Sequence, residues 1–207
     1  MENNPFDLYT TEYENWFKEN NAFFQSELLA LKQVCPTGEK GIEIGVGSGI
    51  FAEKLNIKFG IDPSENMLKL ARQRNLTVDC GFAEKLPYPD NSFDFAVFIT
   101  SICFINNPLK ALQEVYRVIK QNGNLIIAFI DKDSSLGQIL REKKNNSKFY
   151  KAAHFYSVKK IISLIESCNF TISEIFQTLT DLKRTKIEQP AKGYGKGSFV
   201  VIKGSKT

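Results

Sequence analysis

The chain is poor in the residues from which metal centres and disulfide frameworks are built. It has one histidine, His154, and four cysteines, Cys35, Cys80, Cys103 and Cys168. These cysteines lie far apart and form no C-x-x-C pair, which argues against a disulfide scaffold and a zinc cluster. We therefore expect reduced thiols, a cytoplasmic protein and no bound metal.

Long apolar runs are also missing. No stretch approaches the roughly 20 residues that cross a bilayer, and the first residues lack the basic and apolar regions of a signal peptide. The 207 residues are 43% hydrophobic and 24% charged, which is typical of a globular protein. This length suits one α/β domain, so we predict a single domain over residues 1–207 and no membrane association.

Two common phosphate-binding signatures are absent. The chain contains no G-x-x-x-x-G-K-[ST], and Ile50 occupies the place of the third glycine of G-x-G-x-x-G. The pattern present is E-x-G-x-G-x-G, with Glu43 followed by Gly45, Gly47 and Gly49. Glycines at the exit of a strand let the backbone turn tightly and approach a ligand. Glu43 suits a cationic ligand group better than a phosphate.

A second carboxylate follows this glycine-rich turn. Asp62 ends the next apolar run, thirteen residues after Gly49. At the end of the neighbouring strand, a carboxylate can accept hydrogen bonds from two ribose hydroxyls. The turn and Asp62 together predict a pocket for a nucleoside-bearing cofactor.

These features resemble the first two motifs of class I S-adenosylmethionine-dependent methyltransferases. G-F-A-E-K-L-P-Y at residues 81–88 and S-F-D at 92–94 extend the likeness, and N-P-L-K-A-L-Q-E-V-Y-R-V-I-K at 107–120 is similar to the motif D-P-x-x-A-L-x-E-x-x-R-V-L-K. Both motifs are typical of small, type-11-like enzymes grouped with the ubiquinone and menaquinone biosynthesis methyltransferases. The resemblance covers residues 38–131, and the whole-chain layout resembles an uncharacterised subgroup.

The resemblance implies S-adenosylmethionine as the cofactor and assigns residues to it. The backbone of Gly45 and Gly47 would lie against its methionine part, and Glu43 would take its amino group directly or through water. Asp62 would bind the ribose hydroxyls, and Pro63 would pack on the adenine.

Three further cofactor residues are implied on the following strands. Ala83 and Glu84 would line the other edge of the adenine. Phe82 stands where the family often has an aspartate, which leaves open how the adenine amino group is read. Thr100 follows the fourth strand, where the crevice outside the carboxyl ends of the strands should lie.

Alternating helical and extended patterns predict an α/β fold with a doubly wound, mostly parallel sheet. The family likeness implies seven strands, the last one antiparallel. Strands are predicted at 40–44, 57–61, 76–80, 94–99, 124–130, 170–179 and 197–203, and helices at 12–33, 50–56, 63–74, 108–120 and 157–168. We divide the chain into an N-terminal helical cap (1–37), a cofactor-binding core (38–131), a lid insertion (132–156) and a C-terminal helix with strands (157–207).

Catalytic residues are harder to assign, because methyl transfer depends mainly on positioning. Many relatives have a histidine after the fourth strand, where this chain has Cys103 and Phe104. Two aromatic-rich segments flank the expected cofactor site, at residues 9–17 and 149–156. We predict that Tyr13, Tyr150 and His154 lie near one cavity beside the reacting methyl, under a mobile lid.

The charge distribution leaves other functions open. Residues 1–131 carry 12 Lys and Arg against 17 Asp and Glu, whereas residues 132–207 carry 15 against 6. We predict in-line methyl transfer to a small-molecule acceptor. The alternatives are an RNA or protein acceptor guided by the basic C-terminal part, and a non-catalytic module that binds a cofactor or partner. The lack of aromatics among arginines disfavours nucleic acid, and the oligomeric state stays open.

Overall fold

The computed structural model describes residues 4–183 and 185–207. Helices α1 (Pro5–Leu8), α2 (Thr10–Glu19) and α3 (Asn21–Lys32) precede the first strand. The strands are β1 (Gly41–Ile44), β2 (Phe59–Asp62), β3 (Thr77–Cys80), β4 (Phe93–Ile99), β5 (Ile119–Ile130), β6 (Phe170–Thr178), β7 (Ala191–Lys192) and β8 (Phe199–Lys206). The later helices are α4 (Ile50–Leu55), α5 (Glu65–Gln73), α6 (Pro108–Val118), α7 (Ser135–Glu142) and α8 (Val158–Ser167).

The strands form one sheet in the order β3-β2-β1-β4-β5-β8-β6-β7. Neighbours from β3 to β5 are parallel, whereas β8 runs antiparallel to both β5 and β6. The predicted doubly wound α/β fold and its antiparallel last strand are confirmed. The described part of the sheet has eight strands rather than seven, because Ala191–Lys192 pairs with the end of β6.

Helices cover both faces of the sheet and bury its central strands. Along β4, Phe98 packs with α6 and α8 on one face, whereas its neighbour Val97 packs with α3, α4 and α5 on the other. A strand buried on both sides needs apolar residues at successive positions. This explains why β4 and the second half of β5 read as continuous apolar runs.

Side-chain caps begin several of the helices at predicted places. Ser64 accepts from the Met67 N–H at the start of α5, and Asn107 accepts from the Lys110 N–H at the start of α6. Such caps satisfy backbone donors that have no partner within the helix. Between β5 and α8, where only an insertion is predicted, Ser134 caps the short helix α7.

Helix α6 ends earlier than predicted. The expected helix reaches Lys120, but extended backbone begins at Ile119, which pairs with Phe93 of β4. The ammonium of Lys206 donates to the carbonyls of Tyr116 and Ile119, at 2.6 and 2.8 Å, and lies over the Tyr116 ring. A cation favours the C-terminal end of a helix, so the last strand fixes where α6 stops.

We expect Lys206→Met to lower the free energy of unfolding by about 1–3 kcal/mol, because it leaves buried carbonyls without their charged donor. Lys206 is only 7% exposed. The control is Lys203→Met, whose ammonium faces Glu174 at 3.6 Å in a more exposed pair and should cost less than about 1 kcal/mol. Urea unfolding measures both. Equal losses would contradict the capping role.

Candidate active site

A cavity of about 820 Å³ lies at the carboxyl ends of the central strands. Its wall contains Gly45 after β1, Asp62 at the end of β2, Thr100 after β4 and Ile130 at the end of β5. Its volume falls in the range of about 300–1,000 Å³ that small-molecule and cofactor sites occupy. The fold therefore places the predicted crevice where a sheet of this topology binds ligands.

The glycine-rich turn forms one wall of the cavity in a backbone conformation that needs glycine. Gly45, Gly47 and Gly49 have φ angles of +75°, +51° and +78°, in the left-handed region that other residues rarely adopt. A methyl group on Gly45 would lie 2.4 Å from the Ser101 Cβ, and one on Gly47 would lie 3.5 Å from the Tyr13 hydroxyl. The turn is thus closely covered on two sides.

Asp62 joins this turn to the start of α5. Its Oδ2 accepts from the Gly47 N–H and its Oδ1 from the Ser64 N–H, both at 2.9 Å. Burial raises the pKa of this carboxyl to about 6, although the two N–H groups oppose the rise. Each oxygen keeps a further lone pair for a ligand hydroxyl.

Glu43 is a buried carboxylate beneath the turn. It is 2% exposed, and its Oε2 has no hydrogen-bond partner within residues 4–183 and 185–207. Burial and, to a lesser degree, the Asp62 charge raise its pKa well above the usual value. An orphaned buried oxygen calls for an additional partner. Glu43 does not belong to the cavity lining. Of the two predicted modes of contact with the cofactor's amino group, direct or through water, this position favours the second.

The opposite part of the wall is formed by Pro63 and residues 81–84. Phe82 is 46% exposed and lies on the cavity wall. From the sequence, Phe82 was noted only as a replacement for the aspartate that the family often has, and no contact was predicted for its ring. The Oε1 of Glu84 accepts from the Asn107 N–H at 3.1 Å. Arg117 supports the loop that follows by donating to the carbonyls of Leu86 and Tyr88.

Thr100 has an unusual backbone where it meets the cavity. Its φ is +50°, and its N–H donates to the Ala128 carbonyl at 2.8 Å. A β-branched residue in this region costs about 1–3 kcal/mol, and such strain is concentrated at functional sites. Its placement on the lining agrees with the predicted position, whereas its contact with a cofactor stays a prediction.

The N-terminal helices are anchored over the glycine-rich turn by polar contacts. Glu14 of α2 forms an ion pair with Arg74, which also donates to the Ser48 carbonyl at 2.9 Å. Asp7 of α1 accepts from the Ser64 hydroxyl at 2.6 Å. These contacts hold Tyr13 against the cofactor side of the cavity.

Aromatic rings from two distant segments meet above the cavity. Phe149 packs against Phe6 and Tyr13, with ring centroids 5.4 and 6.2 Å apart, and Tyr150 stacks on Phe104. Tyr13 and Tyr150 both line the cavity. Burial, followed by the nearby Glu43 and Asp62 charges, raises the pKa of the Tyr13 phenol above its usual value. The structure therefore brings these two candidates together, and their chemical roles stay predictions.

His154 is not at this cavity, so its predicted placement is wrong. Its side chain is exposed, and its backbone N–H donates to the Cys103 carbonyl at 2.7 Å. The preceding Ala153, which is extended and fully buried, takes the inward position. Because side chains alternate along an extended segment, His154 faces outward.

Comparisons with known proteins agree with this geometry. Residues 42–127 match the family model described as "Methyltransferase domain". A Methanocaldococcus jannaschii protein, described as uncharacterized, is 42% identical over 98% of this chain and 99% of its own length. A crystal structure from Thermotoga maritima, described as a "SAM-dependent methyltransferase, possible histamine N-methyltransferase", has a TM-score of 0.95 at 42% identity, over 98% of this chain and 99% of that chain.

The chain belongs to the S-adenosylmethionine-dependent methyltransferases. A demethylmenaquinone methyltransferase of Corynebacterium kroppenstedtii is 32% identical over 44% of this chain and 41% of its own length. The family implies S-adenosylmethionine as the cofactor, and the site fits it. Gly45 and Gly47 line the cavity, and the carboxylates of Asp62 and Glu43 retain capacity to accept further hydrogen bonds.

Sequence reasoning missed one carboxylate of this methyltransferase. Glu27 of α3 lines the cavity and is only 4% exposed. It has no hydrogen bond or ion pair with any residue that the structure describes, and burial alone raises its pKa to about 8. The signal was available, because Glu27 interrupts an apolar stripe between Phe23 and Leu31 at helical spacing.

We expect Glu27→Gln to make the protein more stable at pH 8 and hardly to change it near pH 4.5. A carboxyl whose pKa is raised on folding binds a proton in the folded state that the unfolded chain has released. Its contribution to stability therefore falls as pH rises from about 4.5 to 8. Since one pH unit corresponds to about 1.4 kcal/mol, the gain at pH 8 should be about 1–3 kcal/mol.

Thermal unfolding of wild type and variant across pH 4.5–8.5 checks this expectation. Glu19→Gln, on the exposed side of α2, is the control and should show no such trend. A Glu27→Gln variant that is less stable than wild type at pH 8 would show that the carboxylate has a stabilising partner in the folded protein.

Proposed function

We propose that this enzyme transfers the methyl group of S-adenosylmethionine to a small-molecule acceptor by in-line displacement. One observation carries the proposal: a single cavity of about 820 Å³ contains the glycine turn, Asp62 and a roof of aromatic rings. The cofactor supplies an electrophilic methyl on sulfur, and the acceptor's lone pair must approach it along the C–S axis. A largely apolar pocket restricts the approach of the acceptor and limits access of water to the sulfonium.

We assign the cofactor residues as follows. The backbone at Gly45 and Gly47 receives the methionine part, Glu43 meets its amino group through water, and Asp62 binds the ribose. Pro63 and Phe82 offer surfaces to the adenine, whose edge lies along Ala83 and Glu84. This assignment agrees with the hydrogen bond from the Gly47 N–H to Asp62, which joins the two motifs into one site.

The acceptor would lie beneath the aromatic roof formed by Phe6, Tyr13, Phe104, Phe149 and Tyr150. The predicted cap (residues 1–37) and the predicted lid (residues 132–156) meet through Phe6 and Phe149. No general base is assigned. Tyr13 has a hydroxyl beside Gly47 but a raised pKa, so it orients an acceptor more readily than it takes a proton.

A small acceptor is favoured over RNA or another polyanion. The charged side chains on the described cavity wall are carboxylates, and they would repel a phosphate backbone. The names of two similar proteins, a "possible histamine N-methyltransferase" and a demethylmenaquinone methyltransferase, also concern small molecules. The four free cysteines are consistent with a cytoplasmic enzyme. No helix within residues 4–183 and 185–207 has the length and apolar character to cross a bilayer.

Calorimetric titration should show that S-adenosylhomocysteine binds and that NAD does not bind with similar strength. The E-x-G-x-G-x-G turn lacks the third glycine that presents a helix N-terminus to a pyrophosphate. Tight binding of NAD together with no binding of S-adenosylhomocysteine would contradict the assignment of the turn.

We expect Asp62→Asn to weaken S-adenosylhomocysteine at least about tenfold at pH 7.5, because a charged acceptor contributes about 1.5–3 kcal/mol per hydrogen bond. The pKa of Asp62, raised to about 6, adds a pH signature. The carboxylate becomes protonated as pH falls through 6, so wild-type affinity should fall between pH 7.5 and 5.

The amide introduced by Asp62→Asn does not titrate in this range, so the variant should show a flatter pH profile of affinity than wild type. Asp90→Asn is a matched control, because Asp90 is exposed and pairs with Arg117 away from the cavity lining. Parallel profiles for wild type and Asp62→Asn would place the titrating group elsewhere.

A further inference from the structure

Glu27 lies on the same helical face as one aromatic residue and near others on the cavity wall. Phe23 and Glu27 are four residues apart in α3, and both line the cavity. Residues this far apart are neighbours on a helix surface. Trp16 and Phe17 of α2 line the same cavity. Glu27 is therefore a carboxylate set among aromatic rings on a ligand-sized space.

The charged residues on the described cavity wall differ in their partners. They are Glu12, Glu19, Glu27, Asp62 and Glu84. Asp62 and Glu84 accept backbone hydrogen bonds, Glu12 faces Lys148 at 3.5 Å, and Glu19 is exposed. Glu27 alone in this group is both deeply buried and without a partner among the described residues.

A buried carboxylate without a partner is costly to the free protein. Among residues 4–183 and 185–207, no hydrogen bond or opposite charge offsets the hydration that Glu27 loses, and such groups are usually paired. A ligand that supplies a positive charge would offset this cost within the low-dielectric cavity. Aromatic faces add to the same preference, since their quadrupoles attract cations within about 6 Å.

We propose that Glu27 binds a positively charged amine of the methyl acceptor, an inference that rests on the proposed function. The carboxylate supplies the counter-charge, and the rings of Trp16, Phe17 and Phe23 surround the apolar part of the acceptor. The ion pair holds one end of the acceptor in place. Because burial raises the pKa of Glu27 to about 8, a carboxyl that is protonated at neutral pH releases its proton to solvent when the ammonium binds. Glu27 is in this account a specificity-determining residue for the acceptor.

The test begins with the cofactor product alone. S-adenosylhomocysteine is titrated into wild type, Glu27→Gln and Glu19→Gln, and equal affinity is expected for all three. Failure of wild type to bind it would count against the proposed function itself. If S-adenosylhomocysteine binds normally but wild type does not prefer amines to their neutral counterparts, only the role of Glu27 is contradicted.

The second step uses matched probes with S-adenosylhomocysteine at saturation. The amines are 2-phenylethylamine, tryptamine and histamine, and the neutral counterparts of the first two are 2-phenylethanol and tryptophol. The counterpart of histamine is 4-(2-hydroxyethyl)imidazole. We expect at least one amine to bind wild type at least tenfold more tightly than its counterpart. Glu27→Gln should remove most of this difference, whereas Glu19→Gln and the charge-preserving Glu27→Asp should keep it.

Three results would overturn the proposal. One is a panel in which every neutral counterpart binds wild type as tightly as its amine. Another is a preferred amine whose affinity is unchanged in Glu27→Gln. The third is a panel in which no amine binds wild type more tightly than the variant, although S-adenosylhomocysteine binds both.

Discussion

The hydrogen bond from the Gly47 N–H to the Asp62 carboxylate is the contact on which the site depends. It can form only because β1 and β2 are parallel neighbours, which brings the glycine-rich turn and Asp62 to the same edge of the sheet. Gly47 has a left-handed φ of +51°, and its N–H donates to that carboxylate at 2.9 Å. Asp62 in turn receives the Ser64 N–H at the start of α5. One carboxylate thus positions the turn, the helix and the predicted ribose site.

Several features of the site lower stability, and a ligand would relieve two of them. Glu43 Oε2 and the Glu27 carboxyl are buried and have no hydrogen-bond partner among the residues that the structure describes, and Thr100 holds a strained φ. A natural protein keeps such features where function requires them. Glu27 and Thr100 line the cavity and Glu43 lies beneath its glycine-rich turn, which supports the cavity as the functional site.

Much of the cofactor side of the site could be predicted from local sequence. The glycine spacing, Asp62 and the alternation of strands and helices are short-range signals, and the structure brings them together as expected. Residues 81–84 belong to a recognisable motif and also lie on the cavity wall. Arg117, which belongs to the next motif, donates to the carbonyls of Leu86 and Tyr88 in the loop that follows them.

The acceptor side depended on tertiary packing and was predicted less well. The aromatic segments were located, but His154 faces outward because Ala153 takes the buried position. Glu27 interrupts an apolar stripe of α3, but this signal can be assigned to a site only once the helix is known to border the cavity. The C-terminal end of α6 and the short β7 were missed because the first depends on Lys206 and the second on pairing with β6, both distant in sequence.

The most direct test of the account is a crystal structure of the protein with S-adenosylhomocysteine. The account predicts ribose hydroxyls on Asp62, the amino acid part along Gly45 and Gly47, and the sulfur facing open space beneath Tyr13 and Tyr150 with Glu27 on its far wall. A bound product whose ribose lies away from Asp62, or whose sulfur faces a wall with no room for an acceptor, would contradict it.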